Sequence, residues 1–264
     1  MNYYHVSVDL GKRKRFSWGD HKELINFKRI VCTICGYGQL ITADPNQKDP
    51  KDPDLKFDDK AWNMEIYMHR NHFADFALLG IRTIVSEKAR TVLLENFNNA
   101  VDFGDLKMIS LRDFTEQEKK ELRGRIGSAW VNRIANDPPQ YFRLLLKQGM
   151  DLDFKKSKVK LVLDCPECGC KFYKEPRIKL IRKEISFPTR YLIESTWKGY
   201  DIFYAEGRGF TMFCTERFIE AYEQAELTGL LFDQIHHLSD TETKDREGNI
   251  LTDGNPISSS TFLI

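Results

Sequence analysis

The chain reads as an α+β protein: a mostly antiparallel sheet carries a few packed helices, and two cysteine knuckles form a zinc-ribbon-like clip. Three observations predict this. Short runs of β-formers with alternating polarity recur along the chain, and capped stretches of helical period follow some of them. The box Cys-x-x-Cys-Gly occurs twice, at residues 32–36 and 165–169, offering four thiolates to one closed tetrahedral site.

The elements follow in order. Tyr3-Tyr4-His5-Val6-Ser7-Val8 alternates aromatic or aliphatic residues with smaller polar ones and predicts a first strand over residues 3–10, before a basic turn at 11–15. Residues 26–31 deliver the first knuckle. Three prolines and mixed charge over 44–59 predict a solvated loop. Residues 80–85 read as a strand running into Ser86, an N-cap, and Ala89, Val92, Leu93 and Phe97 fall on one helical face. The same punctuation returns at residues 209–214, before Thr215-Glu216 and a helix with Phe218, Ile219, Tyr222 and Ala225 inward. Between the two, Thr115-Glu116-Gln117-Glu118 is a capping box, and Leu122, Ile126, Ala129 and Trp130 form a stripe that ends at Asp137-Pro138-Pro139. Residues 140–148 read as a short helix closed by Gly149. Lys158–Leu163 and 177–182 alternate charge with aliphatic residues, predicting strands with one solvated face. One α+β domain is therefore expected over 1–238, and a polar tail over 239–264 with only residues 261–264 able to dock.

Composition narrows the function classes. The 264 residues include 40 Lys and Arg against 39 Asp and Glu, a formal net charge of +1, so no global field favours nucleic acid or an anionic membrane. The longest apolar run, 227–232, is a strand's worth and far short of a membrane span. Met1-Asn2-Tyr3-Tyr4-His5-Val6 lacks the apolar core of a signal peptide, so the expected compartment is the cytoplasm and a disulfide framework, which needs an oxidising one, is not expected.

That leaves metal chemistry for the cysteines. In each box the two-residue spacer aims both sulfurs at one ion, and the glycine allows the backbone to turn its amides toward them. Closing a loop of roughly 130 residues costs about 4 kcal/mol, whereas structural zinc contributes about 10–16 kcal/mol in small domains, so Cys32, Cys35, Cys165 and Cys168 can share one zinc. Cys170 offers an alternative ligand, and Cys214, in Phe210-Thr211-Met212-Phe213-Cys214, reads as a buried core thiol. A redox centre would place one such box at a helix start in a βαβ unit, whereas glycine and turn-like sequence follow here.

Catalytic patterns are missing: the sequence has no GxSxG elbow, HExxH helix, GxxxxGK[ST] loop or GxGxxG fingerprint. His69 and His72 are spaced as one helical turn would be, compatible with a metal pair but without a glutamate base between them; a packed or solvated pair is the plainer reading. His236 and His237 face opposite sides of an extended chain. A saturated four-cysteine zinc has no open position for water, so the protein is not expected to be an enzyme.

The order of Cys32-Thr-Ile-Cys-Gly, Ile84-Val-Ser-Glu-Lys-Ala, Cys165-Pro-Glu-Cys-Gly and Cys214-Thr-Glu-Arg-Phe, with the Leu-Thr-Gly-Leu turn at 227–230, resembles the double-CxxCG motif immunity proteins. This SitI-like group belongs to bacterial polymorphic toxin systems. The resemblance, over about residues 25–238, implies a cytoplasmic, non-enzymatic protein that binds and neutralises a cognate protein toxin, with no membrane or nucleic-acid partner. Its shared motif carries over only to Cys32, Cys35, Cys165 and Cys168. Acidic loops at 49–59 and 240–247 are the expected contacts for a basic toxin. The rival reading is a zinc-ribbon nucleic-acid-binding protein: residues 155–184 carry ten Lys and Arg against four acidic residues, and Lys171, Lys174, Arg177 and Lys179 with Phe172 or Tyr173 would grip the strand.

Overall fold

The computed structural model describes residues 1–9, 18–22, 29–31, 34, 38–40, 65–70, 72–79, 82–166, 171–174, 179–181, 184–186, 191–205, 211–235, 238 and 262–263. Along the first third run β1 (Tyr3–Val8), β2 (Trp18–His21), β3 (Arg29–Val31), β4 (Gly38–Leu40), β5 (Glu65–His69), β6 (Phe76–Leu79), β7 (Arg82–Ser86), α1 (Glu87–Phe97) and β8 (Val101–Asp105). A middle segment holds β9 (Lys107–Met108), a 3-10 turn at Leu111–Asp113, α2 (Glu116–Ile126) and α3 (Ser128–Val131). Then come β10 (Tyr141–Leu146), β11 (Gln148–Leu152), β12 (Lys160–Asp164), β13 (Lys171–Lys174), β14 (Lys179–Ile181), β15 (Glu184–Ser186) and β16 (Leu192–Ile193). The chain ends through β17 (Ile202–Ala205), β18 (Met212–Thr215), α4 (Glu216–Gln224), β19 (Leu230–Gln234) and β20 (Phe262–Leu263). The fold is α+β with mostly antiparallel sheets and few helices, as the sequence predicts. Among the described residues no helix is long and apolar enough to cross a membrane.

Local chemistry explains most boundaries. Ser86 caps α1 by accepting the Ala89 amide proton, and Ala89, Leu93 and Phe97 are buried beneath it. Thr115 and Glu118 form the expected reciprocal box at the start of α2. Two expectations are corrected. Residues 141–152 are two strands, not a helix: Tyr141, Phe142, Arg143 and Leu144 are all buried, so this strand is covered on both faces and shows no alternation. The stripe from Leu122 to Trp130 is broken at Gly127, whose φ of +87° ends α2, so that Val131 is buried where Ala129 was expected to be. β12 also differs from its expectation, because both its faces are exposed, with Leu161 and Val162 at 42% and 51%. The tail contributes β20, which pairs with β15; the basic turn at 11–15 and the loop at 44–59 lie outside the described residues.

The contacts divide the chain into two compact units where the sequence suggested one span. Unit I comprises Val8–Leu145 and Tyr222–Leu230, and unit II comprises Met1–Ser7, Leu146–Ala221 and Leu231–Ile264. The unit I sheet has the order β8-β10-β7-β6-β2-β5-β9, and the unit II sheet β19-β1-β18-β17-β11-β16. In unit I one face buries Ile66, Met68, Leu79, Ile84 and Tyr141, while Tyr67 packs with Phe114, Leu122, Val131 and Ile134 of the middle segment. Unit II centres on Tyr3, Met150, Leu192, Phe203 and Phe213.

The six strands of the unit II sheet match six of the seven in unit I in order, and the edge strand β9 has no counterpart. In each, an antiparallel hairpin (β6-β7, β17-β18) runs into a helix (α1, α4), and a parallel neighbour (β2, β11) flanks the first hairpin strand. That neighbour pairs antiparallel with the strand that comes just before the hairpin in the chain (β5 before β6, β16 before β17). The register agrees in detail: Tyr3 lies opposite Thr215 as Tyr141 lies opposite Ser86. Helix start to next strand is the same fourteen-residue step, Glu87 to Val101 and Glu216 to Leu230. The chain is thus a tandem repeat, β1 to β8 and β10 to β19, and the punctuation seen twice in the sequence is its visible part. Each sheet contains the first strand of the other repeat, β10 between β7 and β8 and β1 between β18 and β19.

A carboxylate clasp recurs with it. Asp75, just before β6, accepts the Ser86 hydroxyl proton at 2.7 Å while the Ser86 amide donates to the Asp75 carbonyl at 2.9 Å. Asp201, just before β17, accepts from Thr215 at 2.6 Å and its carbonyl receives the Thr215 amide at 2.9 Å. Asp75 also accepts from the Thr228 amide and hydroxyl at 3.0 and 2.9 Å, anchoring the Leu-Thr-Gly-Leu turn, where Gly229 at φ +99° lies against the Phe76 carbonyl. Hydrogen bonds to a charged group contribute about 1.5–3 kcal/mol each, so Asp75→Ala is expected to lower unfolding free energy by about 3 kcal/mol in urea titration, and Asp201→Ala by a similar amount. Losses within about 0.5 kcal/mol would show that the clasp is ornamental.

Candidate functional site

Both cysteine boxes fall at the same place in the sequence of their repeats, between the two strands of an antiparallel pair. Val31 pairs with Gly38 and Asp164 with Lys171, so each box occupies a six-residue connection, residues 32–37 and 165–170. A strand pair that converges on such a loop holds both ends of the box 

at a fixed separation, which favours presentation of two sulfurs to one ion. Cys165 is 1% exposed, as a structural ligand would be, whereas Ile34 between the first two cysteines is 66% exposed. Cys32, Cys35, Cys168 and Cys170 lie outside the described residues. Among the described residues no three His, Cys, Asp or Glu side chains gather as a metal site. The donor set fits zinc: two Cys-x-x-Cys pairs give four soft sulfurs, the number a closed structural site takes.

Other expected positions resolve as follows. Cys214 is fully buried, and burial followed by the Asp201 charge pushes its thiol well above the ordinary range, so it is an inert core group. Lys174 is exposed on β13, and Lys171 lies on the same strand; Arg177 is outside the described residues, as are the acidic loops at 49–59 and 240–247 and the pair His236 and His237. His69 and His72 are not a helical pair. His69 ends strand β5 and is buried, while His72 is exposed in irregular chain.

The surroundings of His69 form a second site in unit I that the sequence reading missed. Its ring stacks on Trp18 at 5.0 Å and meets Tyr67 and Trp130 edge-on at 5.2 and 5.9 Å. Trp18 and Trp130 themselves touch at 5.3 Å. Arg70, with the left-handed φ of +73°, lays its guanidinium 5.3 Å from the Trp18 ring, and Arg133 lies 5.0 Å from the Trp130 ring. The Arg70 amide donates to the Arg133 carbonyl, and a bridge joins His69 to Ile134, so the middle segment is bound to the end of β5. Only the run of aromatics at 67–73 hinted at this, because the partners come from β2, β5 and α3.

A comparison with protein-family models and with curated proteins finds no match to the chain.

Burial holds the His69 imidazole below its ordinary pKa, opposed in part by Asp20 and by a hydrogen bond to the Trp130 carbonyl, and among the described residues no partner takes its Nδ1. A lowered pKa in the folded state means that the unfolded chain binds the extra proton first. Stability from neutral His69 is therefore present above the ordinary value of about 6.5, falls as pH drops through it, and levels off below the folded value. His69→Phe is expected to flatten this acid-side slope of melting temperature against pH; an unchanged slope would assign it to other groups.

Proposed function

We propose that this chain is an immunity protein that binds a cognate protein toxin in the cytoplasm and neutralises it by occlusion, without catalysis of its own. One zinc per chain, held by Cys32, Cys35, Cys165 and Cys168, would stiffen the hairpin loops that carry the boxes and supply no reactive water. The observation that carries the reading is that each box spans the six residues between two paired antiparallel strands, once per repeat, because this is the shared motif of the double-CxxCG family in a setting suited to structural metal. The Leu-Thr-Gly-Leu turn, the second part of the resemblance, adds support through its bonds to Asp75. Occlusion asks for a rigid surface, and charge complementarity then sets partner choice and association rate.

Co-expression in a susceptible host with the toxin encoded beside this gene tests the reading. Growth is expected to be restored by the wild-type chain and by no unrelated zinc protein. Continued killing at equal expression would sink the proposal, and salt-sensitive binding of the purified chain to oligonucleotides would shift it to the nucleic-acid reading.

A further inference from the structure

The tandem repeat supplies an internal control for the aromatic site. Asp20 pairs with Tyr67 as Asp151 pairs with Ile193, so the positions matching Trp18 and His69 are Gly149 and Ser195. The same sheet therefore closes in unit II without indole or imidazole at these places. The middle segment that brings Trp130 and Arg133 onto the unit I site lies between the repeats and has no counterpart within either. Neither part of the site is demanded by the repeated fold.

Its surface chemistry is one-sided. Arg125 and Arg133 are exposed, and neither has a carboxylate within ion-pair distance among the described residues. The chain has no acidic residue between Glu121 and Asp137. Arg125 directly precedes Ile126, which packs against the cluster of Tyr67, Phe114, Leu122 and Val131, so the chain brings it to the same end of the site as Trp130 and Arg133. Asp20 is the acid within the cluster, where it hydrogen-bonds Tyr67. Gly124 and Gly127, which flank Arg125 and Ile126, have no atom of the described residues within 4 Å of where a Cβ would stand, so these positions are open.

We propose that Arg70, Arg125 and Arg133, gathered round Trp18 and Trp130, form a docking surface for an acidic segment of a protein partner. Stacked guanidiniums keep their planar forks oriented at little further entropic cost, and that fork matches a carboxylate in bidentate fashion. Half-buried tryptophans beside arginines are the composition of an interface anchor. A protein fits better than a nucleic acid: His69 and the arginines already lie against the indole rings on which bases would stack, and the net charge of +1 gives no long basic track for phosphates. The inference rests on the reading that this chain works by binding another protein, and it adds where and to what chemistry.

The test titrates the purified full chain into fluorescein-labelled octaglutamate and, separately, labelled octathymidylate, following anisotropy at low and moderate salt. The peptide is expected to bind, to weaken with salt, and to bind about tenfold more weakly to Arg125→Gln/Arg133→Gln. Arg70→Gly is the second variant: glycine accepts the left-handed backbone, so folding is kept while the guanidinium is lost. Absence of peptide binding by the wild-type chain, or wild-type affinity in both variants, overturns the proposal. Tighter, arginine-dependent binding of octathymidylate overturns it in favour of nucleic acid. The readout needs no toxin, so protection of cells without peptide binding removes this surface alone, and peptide binding without protection removes the immunity reading alone.

Discussion

The fold turns on a hydroxyl that serves two masters. Ser86 ends a strand and begins a helix, and its single proton goes to the Asp75 carboxylate, which leaves its lone pairs for the Ala89 amide. The hairpin β6-β7 and the entry of α1 are thereby set by one group. In the second repeat the Thr215 hydroxyl likewise gives its proton to Asp201, with Arg217 holding the other Asp201 oxygen at 2.9 Å. A carboxylate bonded from two sides is an anchor because leaving either donor unpaired in a half-buried setting costs more than the bond itself contributes. In unit I the same carboxylate extends to Thr228, 153 residues on, and so ties the repeat's hairpin to the turn that follows α4.

The exchange of first strands constrains the rest. β1 opens the chain yet pairs with β18, and β10 opens the second repeat yet pairs with β7. Each sheet is therefore completed only when residues more than two hundred positions apart have met for unit II and about fifty-five apart for unit I. Such closure is slow relative to local helix formation, and the capped helices α1 and α2 are the elements that can form first. The exchange also explains why the repeat is hard to see along the chain: the segment that completes each sheet belongs to the other copy.

Legibility in the sequence followed the range of the determining interactions. Caps and short amphipathic helices were readable, since Ser86, Thr115, Phe218 and Tyr222 act within one or two turns. The first strand was readable from its β-formers, Tyr3, Tyr4, Val6 and Val8, although its burial, with Tyr3 and Val6 buried on opposite faces, does not follow the alternation. Residues 141–146 were not, because a strand buried on both faces, with Arg143 only 5% exposed, has the leucine-rich look of a helix. The stripe across Gly127 failed for a backbone reason, a positive φ that restarts the helical register. At the level of sites, the cysteine boxes were legible as a spacing. The cluster of Trp18, His69 and Trp130 was not, since its members lie some fifty to sixty residues apart and are joined only by the pairing of β2 with β5 and by the middle segment.

Repeat and boxes together give the account its chemical core. Each repeat supplies one hairpin and one cysteine pair, and a pair is half the donor set of a closed zinc site. The most direct measurement is zinc content by elemental analysis of protein purified without added metal, on the wild-type chain and on Cys32→Ser and Cys165→Ser. The account predicts one zinc per chain in the wild type and its loss from both variants, one from each box. A wild type without zinc, or a variant in either box that keeps the full complement, would contradict it.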